Sequence, residues 1–200
     1  HGLNRVDYRA GECVAILGGG TIGLFTAQWA KIFGAKKVVV FDINNERLEL
    51  AKKLGADEGI NTLDEDFMEK AMALTDGKGY GYIYETAGVT TTMKYAFQLA
   101  ANKAVVCFIG TPTRELSFSV DEWENINRKE FTLTGSWMSY SAPFPGKEWV
   151  LTAHYFRTGQ LKFDESLIFR KMPLSKIDEA FEMYKTPGTV KGKILIDSEE

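Results

Sequence analysis

Glycines at 18, 20 and 23 and an aspartate at 42 are the residues here whose types and spacing suit chemistry. In "VAILGGGTIGLF" (14–25) an apolar run enters three glycines and a helix-capable run leaves them. G-x-G-x-x-G suits a phosphate cradle. The first glycine makes the turn, the second lets backbone N–H groups approach a pyrophosphate, and the third lets a helix pack closely on a strand. The anion then sits on the helix N-terminus, where unpaired N–H groups and the dipole favour it. Gly18, Gly20 and Gly23 fit this pattern in register. Asp42 closes the next apolar run, about 20 residues on, where an acid hydrogen-bonds both hydroxyls of an adenosine ribose. The ligand so described is a dinucleotide. The plain alternative is a tight strand-to-helix turn, which needs one glycine, sometimes two.

The elements that must hold these residues alternate between two periods. "CVAILG" (13–18), "KVVVFD" (37–42), "GINT" (59–62), "YGYIYETAG" (80–88) and "KAVVCFIG" (103–110) read as strands. Between them, Ile22, Phe25, Trp29 and Phe33 recur at helical spacing, and 44–55, 64–75 and 91–100 are helix-like. Short, continuously apolar strands separated by helices imply a parallel sheet covered on both faces. After Gly110 the rhythm changes. "ELSFSV" (115–120) alternates apolar and polar like a half-exposed strand. A helix (121–129), a strand (131–137) and a helix (146–159) follow. From Leu161 on come a strand, a helix capped near Ser175 and a last strand. Methyltransferases are the competing class. They too use a glycine-rich loop and an acid after strand two, but usually lack the third, helix-packing glycine.

Composition excludes other roles. The chain has 200 residues, 44% hydrophobic and 26% charged, with a formal net charge of −3. No basic patch suits nucleic acid, and no apolar run approaches the ~20 residues of a membrane span. The two cysteines, Cys13 and Cys107, sit in apolar runs and read as core residues of a reduced, cytoplasmic protein.

On these residues the sequence resembles the cofactor domain of the zinc-dependent medium-chain alcohol and polyol dehydrogenases. "RAGECVAILGGGTIGL", "VVVFDINNERLELAKKLGAD", "ETAGV" and "FIGTP" carry the likeness, and "GSWMSYSAPFPGKEW" (135–149) is its most specific stretch. The resemblance implies an α/β fold with a Rossmann-type doubly wound parallel sheet, truncated, its GroES-like catalytic domain absent. Residues 1–162 would be the dinucleotide-binding domain and 163–200 a tail returning to that missing domain. The implied cofactor is NAD, with zinc expected only on the absent domain. Gly18 to Gly23, Thr21 included, would hold the pyrophosphate, Ile22 would pack behind the nicotinamide and Arg47 would lie beside Asp42. Thr86 and Ala87 would line the adenine and ribose cleft. Ile109, Gly110 and Thr111 would approach the nicotinamide ribose and ring. Backbone groups from Ser136 to Met138 would hold the carboxamide.

The resemblance further implies a dehydrogenase whose full-length parent oxidises a secondary hydroxyl of a polyol or polyol phosphate, this chain alone being inactive. The start at His1 looks like the cut end of something longer. His154 reads as a surface or semi-core residue, not a metal ligand. Trp137, Tyr140 and Phe144, with Ser136, Ser139 and Ser141, would face the substrate; the alternative is that the aromatics only pack the last strand against its helix, which is the reading taken for Trp149. Family members dimerise through this domain, so the expected contact is an edge strand at Leu116–Val120. The other reading is a stand-alone nucleotide-binding module, a redox sensor or partner subunit.

Overall fold

A computed structural model of the chain describes residues 1–137, 144–186 and 188–198. They fall into two compact units, His1–Leu161 and Lys162–Glu200.

The first unit is built on a six-stranded sheet: β1 Cys13–Leu17, β2 Lys37–Asp42, β3 Glu58–Asn61, β4 Tyr80–Glu85, β5 Ala100–Phe108 and β6 Thr132–Gly135. Its order is β3-β2-β1-β4-β5-β6, and every neighbouring pair is parallel. Parallel strands need crossovers. These are α2 Thr21–Ile32, α3 Asn45–Lys53, α4 Phe67–Ala73, α5 Thr90–Leu99 and α6 Val120–Lys129, after a one-turn α1 Gly2–Arg5 and before α7 Lys147–Arg157. Val14–Leu17 and Val38–Phe41 have no exposure at all. Unbroken apolar strands are what a sheet buried on both faces requires. The chain runs outward from β1 through β2 to β3, then returns to β1's other side with β4. The carboxyl ends of β1 and β4 therefore diverge into a crevice, the place where such sheets bind ligands.

One sequence expectation is corrected here. Residues 115–119 form no strand, and Val120 already begins α6. Phe118 stacks on Phe97 with ring centroids 4.7 Å apart and meets Trp123 edge-on at 5.8 Å. Ser119 is the N-cap of α6 in a reciprocal capping box with Glu122. The Leu116–Phe118–Val120 alternation imitated a strand, while Ser-x-x-Glu announced a helix start. Leu116–Val120 is thus no edge strand, and on that side the sheet ends at β6. Residues 1–12 contain α1, whose Leu3 is buried, as is Val6 just after it.

The second unit is a small β-α-β. β7 Ile168–Pro173 and β8 Lys193–Asp197 pair in parallel and are joined by α8 Ile177–Lys185. Leu167, Met172 and Ala180 are buried. α8 starts at Ile177 after a 3-10 turn over Leu174–Lys176, with no side-chain cap. Among the described residues no helix is long and apolar enough to cross a membrane.

Candidate dinucleotide site

The three glycines leaving β1 meet three different surroundings. Gly18 has φ +109°, and a Cβ there would lie 2.8 Å from Thr86 Oγ1 and 3.1 Å from the backbone nitrogen of Ala87. A side chain is excluded by conformation and by space. A Cβ on Gly23 would fall 1.8 Å from the Gly18 carbonyl oxygen, so the first turn of α2 rests directly on the loop. A Cβ on Gly20 would meet nothing within 4 Å. Gly20 is the N-cap of α2 and makes no side-chain cap hydrogen bond, while its carbonyl accepts the Leu24 N–H at 2.9 Å. The first-turn amides, those of Thr21, Ile22 and Gly23, have no intrahelical carbonyl to reach. Open space lies over the residue where a helix dipole begins, as an anion cradle demands. Ile22 is 48% exposed beside it.

Asp42 sits at the end of β2, 9% exposed. Its Oδ2 accepts the Gly19 N–H at 2.7 Å, and its Oδ1 accepts the Asn44 N–H at 2.9 Å. The Arg47 guanidinium lies 3.6 Å from Oδ2. The carboxylate therefore fixes the glycine loop itself. Each oxygen keeps a lone pair, enough for a pair of vicinal hydroxyls. Asn44 holds the start of α3 by accepting the Arg47 N–H at 3.1 Å, which sets where Arg47 leaves the backbone.

Across the crevice, Thr86 ties β4 to the glycine loop. Its N–H donates to Leu17 O at 2.8 Å, and its hydroxyl lies 3.0 Å from Leu17 O and 3.2 Å from Gly18 O. Ala87, exposed, lies against Gly18. Ile109 and Gly110 both donate their N–H groups to Glu85 O, at 2.8 and 2.9 Å. The Ser136 N–H is taken by Phe108 O at 2.8 Å. Of the backbone amides assigned to this side from sequence, those of Ile109, Gly110 and Ser136 are thus consumed inside the protein, so their residues contribute shape and carbonyls. Ile22, Ile109 and Ser136 come together, with Thr26 and Trp137, on one cavity of about 270 Å³. Thr111 is exposed, with its carbonyl 2.6 Å from where a Cβ on Gly88 would lie. Met138 lies outside the described residues, as do 139–143 of the aromatic stretch. Trp137, Phe144 and Trp149 are exposed, the last two edge to face at 5.4 Å.

Sequence reasoning missed Glu85 and Gly88. Glu85, with no exposed surface, ends β4. Its Oε1 accepts from Ala87 N–H and Gly88 N–H, each at 3.0 Å, and from the Thr92 hydroxyl at 2.7 Å. Burial pushes its pKa above the ordinary carboxylate value, against the pull of Thr92, Gly88, Ala87 and Val89 as donors. The signal was present as an acid closing an apolar strand, with two glycines waiting on neighbouring turns. Among the described residues no three His, Cys, Asp or Glu side chains gather as a metal site. The described residues therefore do not fit zinc.

This geometry is that of a nucleotide-binding α/β domain. The family model described as zinc-binding dehydrogenase matches residues 21–151, and the chain belongs to that family. Galactitol 1-phosphate 5-dehydrogenase of Escherichia coli strain K12 is 36% identical over 157 residues, 78% of this chain and 45% of its own length. An L-threonine 3-dehydrogenase of Symbiobacterium thermophilum is 31% identical over 183 residues, 92% of this chain and 50% of its own. D-arabitol-phosphate dehydrogenase of Enterococcus avium is 30% identical over 192 residues, 94% of this chain and 52% of its own. The chain thus spans about half the length of the curated relatives it matches. Among solved structures, the galactitol-1-phosphate dehydrogenase of Escherichia coli superposes with TM-score 0.85 at 32% identity, over 98% of this chain and 57% of that one. A zinc-binding dehydrogenase of Sinorhizobium meliloti bound to NADP gives TM-score 0.80 at 28% identity, over 99% and 56%. The all-parallel order and the family match set the methyltransferase alternative aside.

Proposed function

We propose that this chain is the NAD-binding part of a dehydrogenase that oxidises a secondary hydroxyl of a polyol phosphate, galactitol 1-phosphate foremost, to the ketose phosphate. The carrying observation is the crevice at the β1/β4 divergence. There the uncapped start of α2, the open face of Gly20 and the Asp42 carboxylate converge. When bound, the nicotinamide accepts the hydride. The chain's own residues bind the pyrophosphate at Gly18–Gly23, hold the adenosine ribose at Asp42 and shape the nicotinamide end with Ile22, Ile109, Gly110 and Thr111. The small β7–α8–β8 unit would pack on the part of the enzyme that its relatives have beyond this chain.

NAD is favoured over NADP because the two charges near the 2′ position are unequally screened. The Asp42 side chain is 7% exposed and Arg47 43% exposed. The buried carboxylate repels a 2′-phosphate through little water, while the arginine attracts it through much. The 36% identity to a galactitol 1-phosphate enzyme and the flat exposed faces of Trp137, Phe144 and Trp149 support the substrate reading. Hydroxyl-rich substrates require partners that simple alcohols do not.

Calorimetric titration of the chain tests the cofactor. NAD is expected to bind at least about tenfold tighter than NADP, roughly 1.4 kcal/mol, without turnover by the chain alone. Assay of the enzyme with the catalytic part of its relatives in place tests the substrate. Preference for threonine or a simple primary alcohol over galactitol 1-phosphate defeats the substrate reading. Preference for free galactitol defeats the phosphate.

A further inference from the structure

Four amide N–H groups from two loops converge on Glu85. Its side chain takes those of Ala87 and Gly88, and its main-chain carbonyl takes those of Ile109 and Gly110. The Thr92 hydroxyl, from the first turn of α5, closes on the same Oε1 at 2.7 Å. Gly88 also approaches the second oxygen, Oε2, at 3.2 Å. Space is as tight as the bonding. A Cβ on Gly110 would lie 2.6 Å from Oε2 and 2.2 Å from the Gly88 nitrogen, and one on Gly88 would lie 2.6 Å from the Thr111 carbonyl. Gly88 holds φ +68°, a conformation rarely adopted outside glycine. The carboxylate rewards that conformation by accepting the Gly88 amide. The groups that draw its pKa down are all uncharged donors, so nothing about Glu85 resembles a surface ion pair.

We propose that Glu85 is a positioning residue for the dinucleotide, its Oε1 clamping Ala87–Gly88 against Gly110–Thr111 so that the β4–β5 wall of the crevice keeps the shape the cofactor's nicotinamide end requires. The inference rests on the dinucleotide reading above and adds a residue that touches no ligand. The amides of Ala87, Gly88, Ile109 and Gly110 are all bound to Glu85, so what these residues contribute is contour, and one carboxylate sets it. A buried acid kept only for folding could be replaced by any side chain that folds, whereas a clamp needs an acceptor at this distance.

The test is calorimetric titration of the chain with NAD, beside thermal unfolding, for wild type, Glu85→Gln, Glu85→Asp and Glu85→Ala. Glutamine keeps an acceptor oxygen at Oε1 and is expected to bind NAD within about threefold of wild type. Aspartate keeps the charge but withdraws the acceptor by one methylene, and is expected to bind at least fivefold more weakly while remaining folded. Alanine is expected to lose tenfold or more. If the alanine variant does not fold, the aspartate variant decides. Wild-type affinity in folded Glu85→Asp or Glu85→Ala overturns the clamp, as does a glutamine variant as weak as alanine. A wild-type chain that binds no dinucleotide overturns the dinucleotide reading and the clamp with it. A binding wild type with indifferent variants overturns the clamp alone.

Discussion

On the β1 side of the crevice, α2 starts without a side-chain cap and the space over Gly20 is open; on the β4–β5 side the amides of Ala87, Gly88, Ile109 and Gly110 are all bound internally. Each side is organised by one carboxylate at the end of a strand. Asp42 lies beside a half-exposed arginine and keeps lone pairs for a ligand. Glu85 is sealed in and spends itself on its own loops. The contrast shows a division of labour. On the proposed reading, one wall of the site recognises charge and hydroxyls and the other supplies a fixed surface to lie against.

Substitutions at single glycines press hardest on that contrast. Gly110→Ala would force a Cβ to within 2.2 Å of the Gly88 nitrogen, backbone that cannot swing away. It is expected to cost about 3 kcal/mol or more, as overpacking does at its severe end, measured by denaturant unfolding. If Gly110→Ala were nearly neutral, the β4–β5 wall would be loose rather than fixed.

Asp42→Ala is expected to act on both stability and selectivity. It removes the acceptor of the buried Gly19 N–H, about 1–3 kcal/mol, and the repulsion against a 2′-phosphate. The ratio of NAD to NADP affinity should fall about tenfold, some 1.4 kcal/mol, in calorimetric titrations. An unchanged ratio would move selectivity away from Asp42 and erase the difference between the two carboxylates.

Gly20→Ala separates ligand space from protein space. Its Cβ would touch no protein atom within 4 Å, so the unfolding free energy should stay within about 0.5 kcal/mol of wild type. NAD affinity should nevertheless drop severalfold, because the methyl group occupies the cradle. Stability and affinity falling together would mean that Gly20 faces the protein. The smallest effect is expected from Arg47→Ala. The half-exposed pair with Asp42 contributes under about 1 kcal/mol, and only the residual NADP affinity should weaken, by a fewfold. A large loss of NAD binding would show Arg47 to be a principal anchor.

Much of the first wall is legible in the amino-acid sequence. The G-x-G-x-x-G spacing and the acid closing the second apolar run are local patterns, and each glycine's role follows from the backbone near it. The second wall is legible only in part. Thr86, Ile109 and Gly110 can be assigned from their likeness to a family, but their bonding cannot. Glu85 reads as one more polar residue at a strand end. The 115–120 stretch misleads because alternation suits a strand as well as an irregular segment that packs Leu116 and Phe118 and leaves Val120 exposed. Phe118 finds Phe97, and the capping box decides where α6 begins.

The sequence by itself determined the alternation of buried strands and helices, the parallel sheet they imply, and the turn at Gly18–Gly23. All of these depend on contacts within one or two elements, so period and residue type are enough. Only the tertiary structure decided that Glu85, Gly88 and Gly110 form one unit. Their meeting depends on β4 and β5 lying side by side in register, Glu85 opposite Phe108. Residues more than twenty positions apart acquire a shared environment only when the sheet places them a strand's width from each other, about 4.8 Å.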